Sequence, residues 1–223
     1  MPNAGVRATR TPTPAKPELV TPTAAQLRQL ADAAVGTPWE IPVLLAATTG
    51  CRLGESLGLR WARVDLEAGR VQIVEALQRV NKELVFSEPK TEQAKRTIPV
   101  PAWALTRLRA HKADQAKRRL ALGAAWVDLD LVCERGDGAP LLPDSVSHAF
   151  AKIAKRAGIG CRFHDMRHGI GSALGKAGTP AYVTARVLGH ASPYFTAATY
   201  QHADDEQVDR ALAGLEAAFG PAT

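Results

Sequence analysis

Three short stretches of the 223-residue chain concentrate side chains suited to an anionic ester. The first, Thr49-Gly50-Cys51-Arg52-Leu53-Gly54-Glu55, sets an arginine and a carboxylate three residues apart. The second, His164-Asp165-Met166-Arg167-His168, does the same with a histidine and an arginine. The third is Leu188-Gly189-His190, with Tyr200 ten residues further on. Residues three apart on a helix share a face, so each arginine can point with its partner into one site. Guanidiniums clamp anionic oxygens bidentately and stabilise the charge that builds in a transition state. His164 and His190 can hydrogen-bond the same oxygens or help to take a proton from Tyr200. That phenol needs the help, because its free pKa is about 10.

The elements that must position these groups can be read from the pattern. Residues 1–17 hold Pro2, Pro12, Pro14 and Pro17 among small and basic residues, which suits a flexible proline-rich tail. Thr21-Pro22 is expected to open a helix with Thr21 as its N-cap, and Leu27, Leu30 and Ala34 give it an apolar face. A second helix is expected over Glu40–Thr49, ending at Gly50, and a third from about Arg52. Val64–Leu66 and Val71–Val74 then form a hairpin, with two more strands at Leu84–Phe86 and Arg96–Val100. Pro99 puts the last of these on an edge, and the loop before it contains Lys90. Helical patterns return after Pro101 and continue over Ser145–Ala157, His164–Ala177, Pro180–Leu188 and Asp204–Phe219. The fold class is α+β: a mainly α-helical domain with a small three- to four-stranded antiparallel sheet.

Bulk properties narrow the partners. A formal charge of +6 and a pI of about 9.5 favour a polyanion. An aromatic content of 5% argues against recognition built on base-stacking platforms. Cys51, Cys133 and Cys161 are too few and too scattered for a disulfide framework or metal knuckle, and they fit a reducing cytosol. The N-terminus has no apolar signal core, and the apolar stretch Ile41–Ala47 is too short to span a membrane. A soluble, cytoplasmic protein is expected, without membrane contact.

Several ordinary roles compete for the same residues. His164 and His168 stand at i, i+4 like the ligands of a zinc-protease helix. The acid between them is Asp rather than Glu, Arg167 would put a cation beside the metal, and no third ligand is evident, so no metal is expected. His168 is then a packing or supporting histidine. Arg52 and Glu55 could be a surface ion pair, but Leu53, Leu57 and Leu59 make the pair half-buried. The basic run Lys112–Arg119 fits a solvated helix face.

Taken in order, these stretches resemble the signature boxes of the tyrosine recombinase (phage integrase) family, from about Val20 to the C-terminus. The resemblance makes Arg52 and Arg167 the arginine pair, His164 the histidine of the HxxR box and His190 the His/Trp position. It makes Lys90 the hairpin lysine, Tyr200 the nucleophile and Glu55 the acid supporting the first arginine. Gly169 departs from the pattern, standing where the family often has Thr, and a local effect is expected. Most members carry one or two DNA-binding domains ahead of the catalytic one. Here 18–223 would be the catalytic domain, preceded only by the tail.

What the resemblance implies is cleavage of duplex DNA by Tyr200, with Lys90 as general acid for the leaving 5′-oxygen and a 3′-phosphotyrosine intermediate. No metal or nucleotide cofactor is required. The implied assembly is a tetramer on DNA and a monomer when free. The stripe Val208, Leu212, Leu215 and Phe219 either packs on its own domain or docks on a neighbouring protomer. Two other functions compete: relaxation of DNA in the manner of a type IB topoisomerase, and a DNA-binding module that retains the fold without catalysis.

Overall fold

The computed structural model describes residues 20–89, 94–190 and 193–200, and in the last segment the side chains of Tyr194, Thr196, Ala197 and Thr199. Helices α1 (Ala24–Ala33), α2 (Glu40–Thr49) and α3 (Leu53–Gly58) come first. Five strands follow: β1 (Val64–Asp65), β2 (Arg70–Ile73), β3 (Ala76–Val80), β4 (Glu83–Ser87) and β5 (Arg96–Pro99). Helices α4 (Ala102–Leu122), α5 (Pro143–Arg156), α6 (Asp165–Lys176), α7 (Ala181–Leu188) and α8 (Pro193–Tyr200) complete the described chain. None of these helices is long and apolar enough to cross a membrane.

The centre is α2. Eight of its ten residues are buried, from Ile41 through Ala47 and again at Thr49. A helix apolar all round is stable only when covered on every side, and here α1, α3, α4 and α6 pack against it. It stops at Gly50, whose φ of 65° places it in the left-handed region and whose N–H donates to the Ala46 carbonyl. The chain emerges there beside Arg52, so the core helix itself aims the first candidate site residue.

The strands divide differently from the single sheet expected. β1, β2 and β5 form a three-stranded antiparallel sheet in the order β1-β2-β5, with Val71 opposite Ile98 and Pro99 on the edge strand. β4 pairs instead with β3 as a separate hairpin, Leu77 opposite Phe86. Its two-residue turn, Asn81-Lys82, has positive φ at both positions, the backbone twist that suits a tight hairpin. The sequence hides β3 because only Leu77 along it is buried.

Helix α1 also begins later than expected. Thr23, not Thr21, is its N-cap: its hydroxyl accepts from the Gln26 N–H, while the Gln26 side chain accepts from the Thr23 N–H. This reciprocal capping satisfies two backbone donors, and only a polar residue three places after the cap can supply it. The basic run in α4 is largely solvent-exposed; Lys117 pairs within the helix with Asp114, and Arg119 pairs with Asp128 beyond it. The helix expected over Asp204–Phe219 lies outside the described residues, as do residues 1–17.

The segment before α1 lies on α6. A Cβ at Gly169 would come within 2.6 Å of the Pro22 carbonyl oxygen and 3.2 Å of Leu27. Glycine is needed there for close approach rather than for its backbone angles. We expect Gly169→Ala to lower stability by roughly 1–3 kcal/mol through overpacking, although alanine is the better helix former. Urea unfolding measures it, and an equal or higher midpoint would show that the approach is not tight.

Candidate active site

Arg52 stands at the N-cap of α3 with an extended backbone. Glu55, three residues on and 5% exposed in its side chain, reaches back to it twice. Its Oε2 accepts from the Arg52 backbone N–H at 2.8 Å, and its Oε1 accepts from Arg52 Nη1 at 2.9 Å. The arginine side chain is 45% exposed, so it is held at its base and projects outward. Burial pushes the Glu55 carboxyl up, but hydrogen bonds and charge from Arg96 and Arg52 outweigh it and hold the group below the usual carboxylate range. The carboxylate therefore stays ionised.

Arg167 is the deep member of the pair. It is 3% exposed, and its Nη1 donates to the Gly50 carbonyl at 2.9 Å while Nη2 donates to the Leu188 carbonyl. One guanidinium thus joins the end of α2 to the end of α7. Asp165, buried in the first turn of α6, accepts from the backbone and guanidinium of Arg162, and these bonds hold its carboxyl low despite burial. His164 stands at the N-cap position of α6 without a side-chain capping bond and is exposed; its ring meets that of His168 edge-to-face at 5.3 Å.

His190 follows the α7 C-cap. Its backbone N–H donates to the Ala185 carbonyl, and its Nδ1 lies 2.8 Å from the hydroxyl oxygen of the fully buried Thr196. Burial, then the charges of Arg167, Arg52 and Arg96, push this imidazole down from 6.5 to about 4. Burial and the neighbouring His168, Arg167 and Arg52 lower His164 as well; for His168 burial leads, with Arg167 and Arg162 adding to it. The histidines are therefore neutral at pH 7 within a cationic group.

Arg52, Glu55, His164, Arg167, His168 and His190 thus lie near one another. Arg52, Glu55 and His190 line a cleft of about 1030 Å³ that also borders Leu77, Arg79 and Pro89. Pro89 and Ala94, on either side of Lys90, both lie along it, but Lys90 itself falls outside the described residues. Tyr200 ends α8, and the position of its side chain is likewise outside the description. Thr196 was not anticipated; its place four residues before Tyr200, one helical turn away, was the available signal. Burial pushes the Cys51 and Cys161 thiols up to about 11 and raises Cys133 well above its usual value, which keeps all three protonated rather than nucleophilic thiolates.

Residues 21–207 match the phage integrase family. The chain belongs to that family. Among its relatives, a tyrosine recombinase XerC-like protein of Caldanaerobacter subterraneus subsp. tengcongensis is 28% identical over 87% of this chain and 53% of its own length. An integrase of Streptomyces ambofaciens is 30% identical over 80% of this chain and 48% of its own. The chain thus spans about half the length of these curated relatives. Solved structures share the fold at low identity. The Tn1549 transposon integrase in complex with transposon right end DNA gives a TM-score of 0.73, with 19% identity, 90% of this chain and 67% of that one covered. The XerA recombinase gives 0.63 with 19% identity, covering 95% and 68%. In this integrase-family chain, Pro22 and Leu27 occupy the space that a threonine at position 169 would require.

The histidine shifts set a pH dependence. Their folded-state pKa values lie below the unfolded value near 6.5, so the unfolded chain takes up protons first as the pH falls. Their contribution to stability is complete above that value and is lost as the pH drops toward the folded values, about 4 for His190. We expect urea midpoints to fall between pH 7 and pH 5, and the His190 ring resonances of the DNA-free protein to titrate near pH 4. A ring titrating at 6.5 would mean that His190 does not sit among these charges.

Proposed function

We propose that this integrase-family chain breaks and rejoins duplex DNA as a site-specific recombinase, with Tyr200 as the nucleophile. The cleft lined by Arg52 and His190, with Arg167 buried behind it and His164 close to both arginines, carries this reading. Arg52 and Arg167 hold the non-bridging oxygens of the scissile phosphate and offset the charge added as the phosphorus becomes five-coordinate. Glu55 orients Arg52, and His168 supports His164. An imidazole kept neutral beside arginines is a poor proton acceptor, so His190 gives an Nε2–H to a phosphate oxygen, with Thr196 fixing its ring. His164, the more exposed ring, takes the phenol proton.

The phenol oxygen of Tyr200 attacks phosphorus, and the bond to the 5′-oxygen breaks. Lys90 supplies the proton that this oxygen needs to leave. A 3′-phosphotyrosine and a 5′-hydroxyl result, and because one phosphodiester has replaced another, rejoining requires no nucleotide. Attack by the 5′-hydroxyl of a second duplex completes recombination. The positive charge otherwise drawn from a metal comes from the arginines. Residues 18–223 would act as the catalytic domain, tetrameric on DNA and monomeric when free. Support comes from relatives whose structures contain DNA, among them a XerH recombinase bound to its difH substrate before cleavage.

The test incubates the chain with supercoiled DNA and with a nicked duplex in EDTA, then quenches with SDS. The wild type should form a covalent adduct; Tyr200→Phe should bind DNA and form none; Arg52→Ala should cleave about 10²–10³-fold more slowly. Two labelled duplexes should exchange ends. Adduct formed equally by Tyr200→Phe would remove the nucleophile assignment, and relaxation without exchange would favour topoisomerase-like action.

A further inference from the structure

Arg96, the first residue of β5, lies outside the set of groups assigned above, and its side chain is only 2% exposed. A charge so placed is tolerated only when its donors are met. Its Nη2 donates to Glu55 Oε2 at 2.7 Å and its Nη1 to Glu55 Oε1 at 3.2 Å. Nη1 also donates to the Ala94 carbonyl at 3.0 Å, and Nε donates to the Val187 carbonyl at 2.8 Å. The guanidinium therefore joins three segments: α3 through Glu55, the chain just before β5 through Ala94, and the end of α7 through Val187.

The same guanidinium lies under the Leu188-Gly189-His190 turn. A Cβ on Gly189 would come within 2.9 Å of Arg96 Nη1, and Gly189 has a φ of 66°. The turn that delivers His190 thus rests on Arg96 at a distance only glycine allows.

Glu55 is shared between two arginines. Each carboxylate oxygen accepts once from Arg96 and once from Arg52. With one carboxylate between two guanidiniums, the trio keeps a net charge of +1. Without Arg96, Glu55 would neutralise Arg52, the cation meant for the phosphate.

We propose that Arg96 is a positioning residue that fixes Arg52 and His190 relative to each other by holding Glu55 and the Val187–His190 turn from one buried guanidinium. This rests on the recombinase reading given above. Lysine at this position keeps the charge but offers a single ammonium, which cannot span both Glu55 oxygens and two carbonyls. Displacements of about 1 Å among reacting groups can cost about 10²-fold in rate.

The experiment compares wild type, Arg96→Lys and the charge-neutral pair Arg96→Gln/Glu55→Gln on a nicked suicide duplex, with amide hydrogen exchange on the same DNA-free full chains. For Arg96→Lys we expect DNA affinity within about threefold of wild type and a cleavage rate constant about 10²-fold lower. Faster exchange should be confined to the amides of Arg52 and His190 and their neighbours, with α1 and α4 unchanged. The double variant, which leaves no buried charge unpaired, should fold and remain slow. Cleavage at the wild-type rate, or loss of protection spread evenly over the domain, overturns the proposal. If the wild type forms no adduct, the recombinase reading has failed by itself. Exchange then decides alone: loss confined to the two segments supports the positioning role, and uniform or absent loss overturns it.

Discussion

The structure depends on a charge carried to the bottom of the fold. Arg167 is buried where only paired donors make a guanidinium tolerable, and it binds the carbonyls that end α2 and α7. Those two helix ends belong to elements far apart in the sequence. Their last carbonyls have no intrahelical partner, so the arginine satisfies them while they satisfy it. Removing it would orphan both carbonyls and leave Arg96 as the remaining buried guanidinium that ties the Arg52 segment to the His190 turn. Positive charge in this fold is therefore structural before it is chemical.

Burial first, and then the same concentration of cations, explains the histidines. An imidazole among arginines resists protonation, so each ring is kept as a neutral group with one N–H and one lone pair. Thr196, itself buried, takes the Nδ1 side of His190 and leaves the other nitrogen for the cleft. The link also ties α8, the helix ending in Tyr200, to the turn after α7.

Much of the helical frame could be read from the chain. Glu40–Thr49 was legible because its unbroken apolar run ends in a glycine that takes the left-handed conformation. Arg52, Glu55, His164, Arg167 and His190 could be singled out because their stretches follow the order of the family's signature boxes; helix-face spacing applies only to the Arg52–Glu55 and His164–Arg167 pairs. What could not be read depends on the partner. β3 carries one buried residue in five, so no alternation marks it, and its turn lacks the usual glycine. Thr23 outranks Thr21 as a cap only because Gln26 reaches back to it. Arg96 looked like the start of a strand, since nothing local shows that its partners lie 41 and 91 residues away.

The β3–β4 hairpin has a further consequence. It is fastened at its base: Leu77 is buried, and Arg60 both pairs with Glu75 and lies 4.8 Å from the centre of the Phe86 ring. Toward the tip, Val80 and the turn residues Asn81 and Lys82 are exposed. Its residues Gln78, Arg79 and Ser87 border the cleft. Extra residues inserted at such a tip leave the anchored base untouched. The hairpin can therefore vary in length between related chains without disturbing the chemistry, as a wall whose height is free while its footing is fixed.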